Sequence, residues 1–167
     1  MNRPKVQPAI KQPPVRWMIR RDMAEVLKIE RRCFEHPWDE ADFTRVLKQR
    51  NCIGMTIEVP RLAVIAGFII YELHKNHLRL LDFAIAPHLQ RQGYGRRLFR
   101  KICSKLVPDR RSRLYFEVRD NNLPAHLFFR SEGCRAMGLL RDFYENPDED
   151  AISFVRDYRP GDEVFEP

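Results

Sequence analysis

Apolar and polar positions recur along this chain with two different periods, and each change of period marks an element. From Val15 to Arg20 the pattern is strand-like. Asp22 then stands where a helix cap belongs, and Met23, Val26, Leu27 and Ile29 to Glu30 keep a helical period up to Cys33. His36, Pro37 and Trp38 interrupt it, and Asp39 can cap a second helix whose apolar stripe is Phe43, Val46 and Leu47 and whose end is marked by Asn51. Three strand signals follow, Cys52 to Val59, Arg61 to Leu73 and Asn76 to Ala86, joined by Pro60 and by a turn at His74, Lys75 and Asn76. They predict an antiparallel meander. From Arg96 to Leu106 the helical period returns, with Leu98, Phe99, Ile102, Cys103 and Leu106 on one face and Arg97, Arg100, Lys101 and Lys105 on the other. A period of two covers Arg113 to Val118, setting Leu114, Phe116 and Val118 against Tyr115 and Glu117. A helix from about Pro124 to Glu132, with Gly133 just past its end, precedes two strands within Cys134 to Leu140 and Ala151 to Tyr158.

That order mixes a meander with crossovers from strand to helix to strand. It predicts a three-layer α/β or α+β fold, a mixed central sheet flanked by helices. The 167 residues make one domain with a full core. Residues 15–158 are expected to fold, between a Pro- and Lys-rich arm over 1–14 and a tail over 159–167. The longest apolar run, Leu62 to Tyr71, is about half the length of a bilayer-spanning helix, and the first residues lack an apolar core and a small-residue cleavage site. A cytoplasmic protein without membrane attachment is the expectation. Cys33, Cys52, Cys103 and Cys134 form no CxxC pair and have no His at zinc-finger spacing, so reduced thiols and no metal are expected.

Charge adds one thing. The chain carries +7, but residues 142–167 hold nine acids against two arginines, net −7, so the first 141 carry +14. A body this basic suits a polyanionic partner: nucleic acid, a ribosome or a phosphate-bearing cofactor.

The segment Leu81 to Leu98, LDFAIAPHLQRQGYGRRL, is an apolar strand, a short loop, two glycines one residue apart and a helix start. Glycines let backbone approach a ligand, first-turn N–H groups lack intrahelical partners, and the helix dipole is positive there, so the segment is built to meet phosphate. A glycine-rich turn with no ligand has the same spacing. It is neither GxGxxG nor a Walker loop.

Gln90 to Gly95 resembles the Q/R-x-x-G-x-G/A signature of the GNAT superfamily of N-acetyltransferases. Four further passages match in order and are similar to bacterial ribosomal-protein-alanine acetyltransferases. They are Ile29, Glu30, Phe34, Pro37 and Trp38; Phe83, Ala84, Ile85 before Pro87; Phe116, Glu117, Val118 and Arg119 with Asn122; and Arg141 to Tyr144 leading to Asp150, Ala151 and Ile152. The resemblance implies an acetyl-CoA-dependent N-acetyltransferase that works by direct transfer in a ternary complex. Phe83, Ala84 and Ile85 would offer backbone to the pantetheine like an added strand, Arg91, Gln92, Gly93, Tyr94, Gly95 and Arg96 would hold the pyrophosphate, and Asn122 would bond the pantetheine arm. By themselves Phe83 to Ile85 read as a plain core strand.

Glu117 matches the family's general base. An α-amino group, with a pKa of about 7.7–8.0, arrives mostly protonated, so something must take its proton. Without the motif, Glu117 reads as a strand glutamate paired with Arg119 or Arg113. The departure from the family is Phe129, which stands where the resemblance expects a Tyr that protonates the leaving thiolate. Either Tyr144 or Tyr115 substitutes, or the thiolate, with a thiol pKa of about 8.5, leaves unaided, or activity is weak or lost. Trp38 either borders the acceptor cleft or anchors the start of a helix. The expected acceptor is a protein N-terminal α-amine, with the ribosome as a candidate partner and no specific nucleic acid. The alternatives are a small-molecule or lysine amine, or a catalytically degenerate RNA- or ribosome-binding module.

Overall fold

The computed structural model describes residues 12–145 and 148–164; residues 1–11 of the expected arm and 165–167 of the expected tail lie outside the described residues. Among the described residues seven strands form one sheet: β1 (Val15–Trp17), β2 (Cys52–Val59), β3 (Val64–Leu73), β4 (Leu78–Ile85), β5 (Arg113–Arg119), β6 (Arg135–Glu145) and β7 (Asp148–Asp157), in the order β1-β2-β3-β4-β5-β7-β6. The helices are α1 (Met23–Cys33), α2 (Glu40–Leu47), α3 (Tyr94–Cys103) and α4 (Leu123–Ser131). Every predicted element exists. The boundaries move: the first strand ends at Trp17 rather than Arg20, the third begins at Val64 because residues 60–63 turn, and the penultimate strand runs on to Glu145. None of the helices of the described residues is long and apolar enough to cross a membrane.

The meander β1 to β4 is antiparallel throughout, and only β4 and β5 run parallel. The period of two along β3 divides the core into two layers. Phe68 and Ile70 pack with Val26, Leu27, Ile29 of α1 and Phe43, Val46 of α2, whereas Ile69 and Tyr71 pack with Leu98, Phe99 and Ile102 of α3. Burying such a side chain contributes about 1.5–3 kcal/mol. The α3 layer continues into a cluster of Phe83, Phe99, Phe116, Phe128, Phe129 and Phe154, with ring centroids from 4.4 to 6.4 Å apart.

Two local expectations meet different outcomes. Asp39 caps α2, its side chain accepting from Asp42 N at 2.8 Å. Asp22 does not cap α1: its carboxylate accepts from Ile19 N and pairs with the Arg16 guanidinium at 2.7 Å instead, locking β1 to the start of α1. At the chain ends, Pro14 O accepts from Glu58 N, Pro13 O accepts from Arg97 Nε, and Arg159 Nη2 donates to Gly133 O.

Candidate active site

The site arises where two neighbouring strands part. Among the described residues β4 and β5 pair only at Leu78 with Leu114 and Arg79 with Tyr115, and beyond that point their facing edges have no strand partner. The register between β3 and β4 slips at the same level, Ile70 opposing Asp82 and Tyr71 opposing Leu80, so Leu81 is an extra residue in β4. Such a bulge bends and twists its strand, which turns β4 away from β5. A cleft of about 760 Å³ fills the opening, bounded by β4 from Leu80 to Ile85, β5 from Phe116 to Arg119, the start of α3, the inner face of α4 and the segment that links α1 to α2.

At one end lies the glycine loop. Gly93 has φ +90° and forms the N-cap of α3 with no side-chain cap, and a Cβ placed on it would meet nothing within 4 Å. The first turn of α3 thus begins beside a residue without a side chain and with open space around it, an arrangement that suits an anion at the helix start. Arg91 is also left-handed, with φ 62°. A Cβ on Gly95 would touch Ile85, Phe128 and Phe83 at 3.4–3.6 Å, so the helix start packs tightly on the end of β4. Gly93, Gly95, Arg91 and Arg96 line the cleft; Tyr94 is buried in the α3 core. The Arg96 guanidinium turns to buried Glu132 at 2.7 Å, and Gln92 Nε2 donates to His88 O. Phe83, Ala84 and Ile85 border the cleft, where the Ile85 carbonyl already accepts from Cys33 Sγ at 3.3 Å and Gln90 Nε2 at 3.0 Å.

Across the seam stands Glu117. Phe116 and Val118 belong to the α3 core, so Glu117 projects from the opposite face of β5, toward α1. Its ion-pair partner is Arg79, at 3.3 Å, not Arg119 or Arg113. Arg119 instead pairs with Glu149 and lies 4.1 Å over the Tyr144 ring. Tyr144 lines the cleft near Glu117. Burial raises its hydroxyl pKa, Arg119 opposes this and the carboxylates of Glu117 and Glu149 add to it, so the proton stays on at neutral pH. Tyr115, the other candidate acid, is outside the cleft: its hydroxyl accepts from Arg113 and its ring meets His77. Phe129 is buried within the phenylalanine cluster.

Asn122 lines the cleft and also caps α4, accepting from Ala125 N at 3.2 Å. Trp38 unites both of its readings, packing edge-on against Phe43 at 5.4 Å while bordering the cleft beside His36 and Phe34. All four cysteines are free. Burial pushes Cys33 up to about 11 and Cys103 and Cys134 up to about 12, which leaves them poor nucleophiles. Sequence reasoning assigned no role to Arg79, Glu30 and Asp82, all close to this chemistry. The signal for the last two was visible: Glu30 falls on the apolar stripe of α1, and Asp82 interrupts the apolar run of β4.

A split mixed sheet with an uncapped glycine helix start at one end of the split and a carboxylate across it defines an acyltransferase-type α/β protein. The chain belongs to the acetyltransferase (GNAT) family, which residues 23–134 match, and it is an N-acetyltransferase. It is 29% identical over 133 residues, 78% of this chain and 88% of the relative, to the [ribosomal protein bS18]-alanine N-acetyltransferase of Escherichia coli strain K12. The crystal structure of the ribosomal-protein-alanine N-acetyltransferase from Escherichia coli superposes with a TM-score of 0.77 at 24% identity, covering 93% of this chain and 100% of that one. Arabidopsis thaliana NAA60 in complex with acetyl-CoA superposes with a TM-score of 0.74 at 15% identity, over 87% of this chain and 98% of that one.

Proposed function

We propose that the protein transfers acetyl from acetyl-CoA to the N-terminal α-amine of a protein, alanine first, by direct attack in a ternary complex. One observation carries the reading: the open seam between β4 and β5 runs from the glycine-entered start of α3 to Glu117. An extended amide-bearing arm suits the free strand edge at Phe83 and Ala84, and a pyrophosphate suits the N–H groups that follow Gly93. The alanine preference rests on the relative named for it.

Glu117 takes the proton of the acceptor ammonium, directly or through a water. The free amine attacks the thioester carbonyl carbon; the C–N bond forms and the C–S bond breaks, Tyr144 gives its hydroxyl proton to the departing thiolate, and the second proton of the attacking nitrogen passes through solvent to restore the Tyr144 hydroxyl. No cysteine is suited to an acyl-enzyme. The test is a peptide library with radiolabelled acetyl-CoA. Peptides with a free N-terminal alanine should be acetylated in preference to the same peptides N-terminally blocked but carrying lysine, whereas preference for internal lysine or for spermidine would replace the acceptor assignment. RNA retention that falls steeply with salt, without acetyl-CoA binding, would favour the binding-module alternative.

A further inference from the structure

The α1 wall of the cleft contains two carboxyls that this chemistry does not use. Glu30 is 2% exposed and Asp82 8%, yet both line the cleft. Glu30 Oε1 accepts from Trp38 N at 2.9 Å, while Glu30 Oε2 and Asp82 Oδ2 have no hydrogen-bond partner among the described residues. The charged and titratable groups facing the pair are each other and the Cys33 thiol of α1; from β4 the backbone N–H of Phe83 also faces Asp82. No cationic side chain is among them. Two carboxylates cannot donate to one another. Burial raises both groups and repulsion from Glu30 raises Asp82 further, so the pair favours a bound proton or a cation over bare charge.

The position of this pair matters. Asp82 shares the α1 face of the sheet with Ala84, whereas Phe83 and Ile85 belong to the α3 layer. Glu117 projects from the same face on the other side of the seam. Phe34, His36 and Trp38 wall the same region. Holding Trp38 requires one oxygen of Glu30 and nothing from Asp82, so a packing role leaves the second acid unexplained. An amine acceptor arrives as an ammonium, one positive charge with up to three N–H donors, which matches what the pair lacks.

We propose that the Glu30–Asp82 pair receives the acceptor's ammonium, the two carboxyls turning outward from their closed position so that their oxygens accept N–H bonds and hold the nitrogen on the α1 side of the seam, across from Glu117. The inference rests on the reading of the cleft as the acetyl-transfer site. Recognition here precedes chemistry: the pair binds and orients the cation, and Glu117 removes the proton.

The test uses the full chain, free CoA, a short peptide with a free N-terminal alanine, and the same peptide with propionyl in place of alanyl, which lacks only the amine. The wild-type protein should bind the desamino peptide at least ten-fold more weakly than the free-amine peptide. Asp82→Asn and Glu30→Gln keep size while removing charge, and each should raise the peptide KM at least ten-fold, leave acetyl-CoA affinity unchanged and erase the discrimination against the desamino peptide. A folded Asp82→Asn variant with unchanged KM and discrimination would make the pair a proton-sharing core contact only and overturn the proposal. Equal affinity of the wild type for the two peptides would overturn it without any variant. Wild-type protein that binds no acetyl-CoA would instead remove the transfer reading on which the pair's role depends.

Discussion

The two edges of β5 have opposite fates. On one side every residue from Arg113 to Arg119 is paired with β7, and the seam is sealed by Phe116 stacked on Phe154 at 5.5 Å. On the other side only Leu114 and Tyr115 find partners on β4, and the remainder faces the cleft. Unpaired backbone edges are a liability in a sheet, usually covered or blunted. Here the open edge is walled by α1, α3 and α4, and its unpaired backbone borders the cleft. The closed seam makes the fold and the open seam makes the site, so perturbing them should give different failures.

The largest effect is expected at the open seam's carboxylate. Glu117→Gln keeps size and hydrogen bonding but removes the base, so kcat/KM should fall by a factor on the order of 10² to 10⁴ while calorimetry finds acetyl-CoA affinity unchanged. An unaltered rate across neutral pH would reduce Glu117 to a strand residue paired with Arg79. At the closed seam, Phe154→Ala empties a fully buried position between Phe116 and Phe129 and should cost about 3–5 kcal/mol in denaturant unfolding. A loss of activity with no loss of stability there would erase the contrast between the two edges.

Gly93→Val places a branched side chain in the space before α3 and forces it to φ +90°, a strain of about 1–3 kcal/mol. Acetyl-CoA affinity should drop by about 100-fold or more in a protein that still folds. Unchanged affinity would move the phosphate site elsewhere.

A smaller effect is expected at the leaving group. Tyr144→Phe should slow turnover by about ten-fold if the Tyr144 hydroxyl supplies the proton, and Phe129→Tyr in that background should restore part of it. If the thiolate leaves unaided, Tyr144→Phe will be nearly silent and Phe129→Tyr will speed turnover modestly, provided chemistry limits the rate. Silence in both, with no acceptor turned over although acetyl-CoA binds, would end the catalytic reading.

The smallest expected signal is a pH-dependent stability at the Glu30–Asp82 pair. Both carboxyls are raised by burial, so their contribution to folding is most favourable below the ordinary carboxylate range and is lost as pH rises through their folded values. Asp82→Asn should therefore gain in Tm relative to the wild type as pH climbs from about 4 to 8, at about 2–4 °C for each kcal/mol relieved. Asp22 has the opposite sign: despite burial, its bonds to Arg16 and Ile19 N hold it below the usual range, so its contribution is present above about pH 4 and fades on acidification. Parallel melting curves for Asp82→Asn and the wild type across that range would mean that folding does not raise the pair.

What can be read along the chain is local. The period of two in β3 and the period near 3.6 in α3 identify strand and helix because each depends on one face being buried, and the glycine pair before α3 signals backbone approach wherever the helix packs. Glu117 and the Gly93 loop stand out in the sequence because their neighbours form their context, and the fold brings both to one cleft. The partner of Glu117 does not: Arg79 lies on a different strand and reaches it through the single parallel pairing. Nor does the choice between Tyr115 and Tyr144, since the register of β5, β6 and β7 puts one outside the cleft and the other beside Glu117. Glu30 and Asp82 are visible only as acids in apolar runs. That they meet, that two of their oxygens lack partners and that both face the cleft depends on α1 packing over β4, a contact between segments about fifty residues apart that no local pattern encodes. Sequence by itself determined which segments are strands and helices, because side-chain burial is periodic along a segment. Tertiary structure alone decided which charges face one another, because electrostatic partners are set by distance in space.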